Sequence, residues 1–312
     1  MTDSEHPDLA VVVGATGTGK SAFALDLADE LGRRGRSAEV VNADAMQLYQ
    51  GMDIGTAKLP PAERRGVPHH LFDELQVSDE ASVEWYQQRA RDVVDEILGR
   101  GAVAILVGGS GLYVSGAVFD FRFPGTDAIV RERYERLAAE RGTRAAYDLL
   151  KGRDPAAALA IGPHNARRIV RALEVGEITG EPFAVGLPED APLWRPAALV
   201  GLRDDRDVLV ERLDGRVDDM WRQGLVAEVE GLLAEGPALG VTASRAIGYA
   251  QAIAEIRGEL TETEARDLTK QLTRRYARRQ VSWFKRYPRV TWVESRGDLA
   301  SAVSAVADTL TG

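Results

Sequence analysis

Two kinds of hydrophobic pattern alternate along the chain. Short apolar runs occur at residues 8–13, at Ala38-Glu39-Val40-Val41, at 102–107 and at 197–202. Each is too short for a helix and rich in branched residues, which predicts buried strands. Between them, apolar residues recur every three or four positions. Phe23, Leu27 and Leu31 predict a helix over Lys20–Arg34. Val83, Tyr86, Ala90, Val93 and Ile97 predict another over Ser82–Arg100. Further helices are expected over Asp204–Gln223, Val226–Glu235 and Thr261–Arg286, the last opened by a capping box, Thr261-x-x-Glu264. Ala246–Tyr249 starts or continues one more. Thr291-Trp292-Val293 reads as a last strand before a C-terminal helix. Strands alternating with helices predict a parallel α/β sheet.

Two regions break the alternation. Residues 51–58 are too rich in glycine and polar residues to be core, and Leu59-Pro60-Pro61 stops any helix there. Pro68–Leu71 falls in the same irregular stretch. From Pro124 to Pro196 the strand-like runs vanish. Ala, Leu, Arg and Glu dominate 129–141, 145–150 and 166–178, which predicts a helical insertion. The expected organisation is therefore a core of residues 1–123 and 197–312 with an inserted helical domain, 124–196.

The first strand runs into Gly14-Ala15-Thr16-Gly17-Thr18-Gly19-Lys20-Ser21, which fits the phosphate-loop pattern completely. Glycines let the backbone turn its N–H groups onto an anion, and the following helix points its positive end there. Lys20 adds a charge, and the Ser21 hydroxyl suits Mg²⁺. The loop predicts a bound di- or triphosphate. It does not say whether that group is hydrolysed, transferred or expelled. Ligands of parallel sheets sit at carboxyl strand ends, so Asp44, just past the second strand, should face the phosphate. The 102–107 strand ends in Gly108-Gly109-Ser110 rather than in the Asp common in phosphate-loop ATPases, which weakens an ATP-hydrolase reading.

Composition narrows the setting. The chain has 312 residues, no cysteine and a formal charge of −9. Disulfides, thiolate zinc sites and cysteine nucleophiles are excluded. The acidic start lacks the order of a signal peptide, and no apolar run approaches bilayer length, so a cytoplasmic protein without membrane contact is expected. His69 and His70 suggest structural or RNA contacts more than a metal. The net charge hides local excesses. Residues 131–171 carry ten basic residues, among them Arg131, Arg167, Arg168 and Arg171, against five acids. Interleaved Glu and Arg in 131–141 can be a solvated face, whereas Arg167-Arg168-x-x-Arg171 favours binding. Between 266 and 289, Arg266, Lys270, Arg274, Arg275, Arg278, Arg279, Lys285, Arg286 and Arg289 face Asp267 alone. Tyr276, Trp283, Phe284 and Tyr287 interleave, a pattern suited to RNA, although Trp283 and Phe284 also suit a core.

The chain resembles the tRNA dimethylallyltransferase family of the short, bacterial type. The matching stretches are Gly14–Ser21, Asn42–Lys58, Pro68–Leu71, Gly108–Tyr113, Asn165–Val175, Arg216–Met220, Ala246–Tyr249 and Thr273–Trp283. Ala15, Ala45 and Ser110 stand where Pro, Ser and Thr are usual; Ser110 keeps a hydroxyl and Ala45 loses one. The resemblance implies transfer of a dimethylallyl group from dimethylallyl diphosphate to N6 of adenosine 37, beside the anticodon of a tRNA. The phosphate loop, Gly14–Ser21, would hold the leaving diphosphate with Mg²⁺ near Ser21. Lys20 and Arg216 would stabilise its charge. Asp44 would be the general base, with a metal ligand or a helix cap as its alternatives. Asp44, Ala45, Met46, Gln47, Ser110, Arg131, Arg167, Arg168, Arg274, Arg275 and Arg278 are the expected tRNA contacts. A monomer binding the anticodon stem-loop is implied. A small-molecule kinase and a non-catalytic, nucleotide-dependent RNA-binding protein are the rival readings.

Overall fold

A computed structural model describes residues 6–120, 123–183, 191–235, 238–287 and 289–312. The chain forms two compact units, Met1–Phe119 with Pro192–Gly312, and Asp120–Ala191. The first opens with β1 (Leu9–Gly14), α1 (Lys20–Arg33) and β2 (Ala38–Asn42). A 3-10 turn, Ala45–Leu48, follows, then β3 (His69–His70), α2 (Val83–Gly99), β4 (Val103–Gly108) and α3 (Gly111–Val118). The second unit holds α4 (Ala128–Arg153), α5 (Pro155–Ile161) and α6 (Ala166–Thr179). The chain then returns through β5 (Ala197–Arg203), α7 (Arg206–Arg222), α8 (Leu225–Glu235), α9 (Val241–Ser244), α10 (Tyr249–Ile256), α11 (Glu262–Phe284), β6 (Thr291–Glu294) and α12 (Leu299–Thr311).

The six strands are parallel, in the order β3-β2-β4-β1-β5-β6. Every residue of β1, β2 and β4 is buried, as strands covered on both faces require. Ala10, Val12, Val40 and Ile105 pack against Phe23, Leu27 and Leu31 of α1 and Val303, Ala307 and Leu310 of α12. The alternate residues, Val11, Val13, Val41 and Leu106, point to the opposite face, where α2 and α11 run. Glu39 is the polar exception within β2. Arg100 and His70 both reach its carboxylate, and Arg100 above all holds it below the usual range. That pairing explains why two residues read as irregular, His69 and His70, form an edge strand.

Residues 51–58 also depart from expectation. Met52 is fully buried, and the Lys58 ammonium is enclosed by Asp53 and Asp73, each at 2.6 Å, and the Tyr49 carbonyl at 2.9 Å. A glycine-rich, polar sequence thus folds inward around a fully paired cation. Ala246–Tyr249 is mostly a turn between α9 and α10 rather than helix.

The inserted unit is helical. Tyr134, Ala146, Leu150, Ile169 and Leu173 form its core, joined by Ala157 and Ala158 of α5. That helix carries a readable start signal, since Asp154 caps the Ala157 amide at 2.9 Å and Pro155 takes the first position. Gly142, at φ 83°, kinks α4 where two helical stretches were expected. Glu174 is buried without exposure and is held low by Arg171 and Arg131. No helix among the described residues is long and apolar enough to cross a membrane.

The tightest backbone approach lies at the carboxyl ends of β2 and β4. A side chain at Gly108 would land on the Ala43 carbonyl, which cannot swing aside. Gly108→Ala is expected to cost about 1–3 kcal/mol of stability in urea unfolding. Gly99→Ala, with open space around it, should change stability by no more than about 1 kcal/mol.

Candidate active site

The site begins where β1 ends. Gly14 takes φ 145°, and a side chain there would strike the Leu202 carbonyl. Gly17 and Gly19 have φ 82° and 86°, a region only glycine enters without strain. Gly19 precedes α1 and brings no capping side chain, so no cap competes with an anion for the first amides of the helix. The loop is braced from inside. Thr18 Oγ1 and Lys20 Nζ both donate to the Ala15 carbonyl at 2.8 Å. Three residues from other helices brace it from outside. Gln280 of α11 accepts the Thr16 amide at 2.8 Å and donates to the Gly109 carbonyl at 2.9 Å. Arg212 donates to the Gly17 carbonyl at 2.6 Å, and Arg216 to Thr16 Oγ1 at 3.1 Å.

Asp44 follows β2 and is aimed by its neighbours. Asn42 Oδ1 accepts the Asp44 amide at 2.9 Å, while Asn42 Nδ2 donates to the Asp44 and Leu71 carbonyls. Asp44 Oδ1 accepts the Met46 amide at 3.0 Å and so caps the 3-10 turn. Oδ2 has no hydrogen-bond partner among the described residues. Burial raises the Asp44 pKa above the usual carboxylate value, against the Met46 amide, Lys20 and Arg216. Burial also lowers Lys20, to about 8; Asp44 opposes that shift and Arg216 adds to it. Arg216 is lowered by burial and supported by Asp44.

A cavity of about 300 Å³ opens between these groups. Thr16, Asp44, Ser110 and Arg216 line one part of it. Met46, Leu213, Val217, Met220 and Ile247 line an apolar part. Tyr276 and Arg279 of α11 complete the wall. Ala45 also lines it, and its amide donates to Ser110 Oγ at 3.2 Å. Gln47 does not line it: its amide donates to the Thr56 carbonyl at 3.0 Å. Ser21 is exposed in the first turn of α1. Among the described residues no cluster of three His or carboxylate groups forms a metal cage. Ser21 and Asp44 are the oxygen donors here that could hold a divalent metal.

The basic residues divide by geometry. Arg266 and Lys270 both reach Asp218 of α7, at 2.6 and 2.7 Å, and Arg274 reaches Asp214 at 3.0 Å. These three tie α11 to α7. Arg275 and Arg278 are exposed and make no ion pair among the described residues. Phe284 is core, and Trp283 packs over Gly111. In the inserted unit Arg131 and Arg171 are committed to Glu174, whereas Arg167 and Arg168 are exposed without acidic partners among the described residues.

Sequence reasoning missed Gln280 and Arg212 as site residues, and it named Tyr276 only as one of the aromatics interleaved in the basic stripe. Gln280 had a signal: it shares a helical face with Ala277 and Phe284, so a polar side chain falls on a buried stripe.

Comparison with known proteins follows the same lines. The IPP transferase family matches residues 47–287. A protein of Clavibacter sepedonicus named tRNA dimethylallyltransferase is 58% identical over 93% of this chain and 94% of its own length. The crystal structure of the full-length tRNA isopentenylpyrophosphate transferase of Bacillus halodurans is 36% identical, with a TM-score of 0.69, covering 97% of this chain and 96% of that one. A structure of a eukaryotic dimethylallyltransferase acting on tRNA is 26% identical, with a TM-score of 0.75, covering 94% of this chain and 75% of that one.

Lys20 makes a measurable prediction. A bound diphosphate favours the charged ammonium, so Lys20 in the complex titrates above its free value of about 8. Binding then takes up a proton once pH exceeds about 8, and affinity for inorganic diphosphate should fall as pH rises through that value. Calorimetry across pH 7–10, with Lys20→Met as the control that keeps only the ligand's own titration, reads this out (about one log unit lost per pH unit at the steepest).

Proposed function

The chain belongs to the IPP transferase family, and we propose that it carries out the tRNA prenylation for which its relatives are named. It transfers a dimethylallyl group from dimethylallyl diphosphate to N6 of the adenosine beside the anticodon. The observation that carries this reading is one cavity in which a phosphate loop, a carboxylate with a free oxygen and an apolar wall meet. The diphosphate binds the loop amides and Lys20. The five-carbon tail lies along Met46, Leu213, Val217 and Met220, which exclude water from the reacting carbon.

In the transfer, N6 forms a bond to C1 of the donor as the C1–oxygen bond breaks. The bonding pair leaves with the diphosphate oxygen, and negative charge grows there. Lys20, Arg216 and the N-terminus of α1 stabilise that charge more strongly in the transition state than before it. Ser21 would hold a Mg²⁺ ion arriving with the diphosphate, which would supply further charge neutralisation. Asp44 Oδ2 accepts the N6 proton, while Oδ1 stays fixed by Met46. The raised Asp44 pKa makes it a stronger base than an exposed carboxylate. The cap role and the base role therefore use different oxygens of one side chain.

Arg275 and Arg278 on α11 contact the phosphates of the anticodon stem-loop, and Arg167 and Arg168 are basic groups open to tRNA in their own unit. The target base leaves its stack to enter the cavity. The protein works on its tRNA in the cytoplasm, as a monomer. A rise in tRNA mass on incubation with dimethylallyl diphosphate and Mg²⁺ tests the reading; unchanged RNA with donor consumed would reject it.

Two variants separate chemistry from RNA binding. Asp44→Asn should bind both substrates and slow single-turnover transfer by roughly 10²–10⁴-fold. A near-normal rate would remove Asp44 as base, and lost diphosphate affinity would make it a metal ligand. Arg275→Gln with Arg278→Gln should weaken tRNA binding and flatten its log–log salt slope by about 2. Donor affinity should stay unchanged.

A further inference from the structure

Tyr276 takes no part in the chemistry above, yet it lines the same cavity as Asp44. Helix α11 turns it inward together with Thr273 and Arg279, one turn away on either side. Its hydroxyl lies 3.5 Å from Ser110 Oγ, at the limit of a hydrogen bond. Ser110 Oγ already accepts the amide of Ala45, the residue next to Asp44. A continuous polar edge results. It starts at the free oxygen of Asp44, which accepts, and ends at the Tyr276 hydroxyl, which can donate. Burial and the nearby Asp44 charge push the Tyr276 phenol up to about 12, so it keeps its proton at neutral pH. The Arg279 guanidinium lies 5.7 Å from the ring centroid and steadies the ring.

An adenine edge has the complementary order. Its N6 amino group donates, and the ring nitrogens flanking it, N1 and N7, accept. Guanine sets O6, an acceptor, where N6 would be, and so meets Asp44 acceptor to acceptor. Resting on the reading of Asp44 as acceptor of the N6 proton, we propose that the Tyr276 hydroxyl donates to a ring nitrogen flanking N6 and thereby registers the incoming adenine. Asp44 and Tyr276 then read two neighbouring positions of one base edge. Tyr276 is a specificity-determining residue: it fixes which atom faces the donor carbon and leaves the bond chemistry to others.

The test compares wild-type protein with Tyr276→Phe, which removes one oxygen and keeps the ring. Each is assayed for kcat/KM on anticodon stem-loop RNAs with adenosine, 1-deazaadenosine or 7-deazaadenosine at the acceptor position. With wild-type protein one of the two analogues should react about tenfold more slowly than adenosine, as expected for one lost hydrogen bond. Tyr276→Phe should lose about tenfold on adenosine and nothing further on that same analogue. The analogue affected names the nitrogen. Losses that multiply in the variant, or a variant with the wild-type rate on adenosine, overturn the proposal. So does a variant with reduced melting temperature or donor affinity, which would make Tyr276 a structural residue. If wild-type protein prenylates no adenosine RNA at all, the functional reading itself fails.

Discussion

A carboxylate and two cations share one buried space, and the site depends on how their charges balance. Asp44 lies among Lys20 and Arg216, and each shifts the others' ionisation. Burial works against all three charged forms, so none is comfortable in the free protein. In the proposed reaction an arriving diphosphate changes the balance: it pairs with Lys20 and Arg216 in place of Asp44, whose carboxylate then attracts a proton more strongly. The residues proposed to hold the leaving group thus bear on the ionisation of the proposed base.

That balance requires rigid placement, which comes from backbone contacts more than from side-chain pairs. β2 and β4 touch so closely at Ala43 and Gly108 that only hydrogen fits between them. Asp44 starts one residue later, and Ser110 two residues after Gly108. Gln280 joins the other two edges by bridging the Thr16 amide and the Gly109 carbonyl. The loop, Asp44 and α11 are therefore tied together through backbone contacts. Dispersed motions among them would weaken every electrostatic term, because these fall with distance and with entering water.

Much of this was legible in the sequence, and the rest was hidden for physical reasons. The buried runs of β1 and β4 announce parallel strands, and the glycine spacing announces an anion site. Helix boundaries followed from periodicity and caps, as at Ser82 and Thr261. Lys58 was opaque because its two carboxylates, Asp53 and Asp73, meet it only through a folded loop. The basic stripe misled in part because its acids, Asp214 and Asp218, sit on α7, some fifty residues earlier in the chain. Charge counted along one helix cannot see charge on the helix packed against it. Glu174 of α6 hides Arg131 of α4 in the same way, and it also pairs with Arg171 on its own helix.

The division of charge on α11 also makes the proposed RNA contacts compatible with an acidic protein. Cations facing α7 are neutralised by its aspartates, and they fix the helix at a set distance from the cavity. Cations on the outer face keep their field. Arg275 and Arg278 stand on that face, while Tyr276, between them in sequence, turns into the cavity. On the proposed reading, one helix carries phosphate-binding groups outside and a base-reading group inside, separated by about a hundred degrees of helical turn per residue. A flipped nucleotide needs both at once, since its backbone stays with the stem while its base enters the pocket. The electrostatic anchor and the reading hydroxyl are then placed by a single rigid element. A net charge of −9 does not oppose this, because screening confines each field to about 8 Å at physiological salt. What the RNA meets is the local face, and that face is basic.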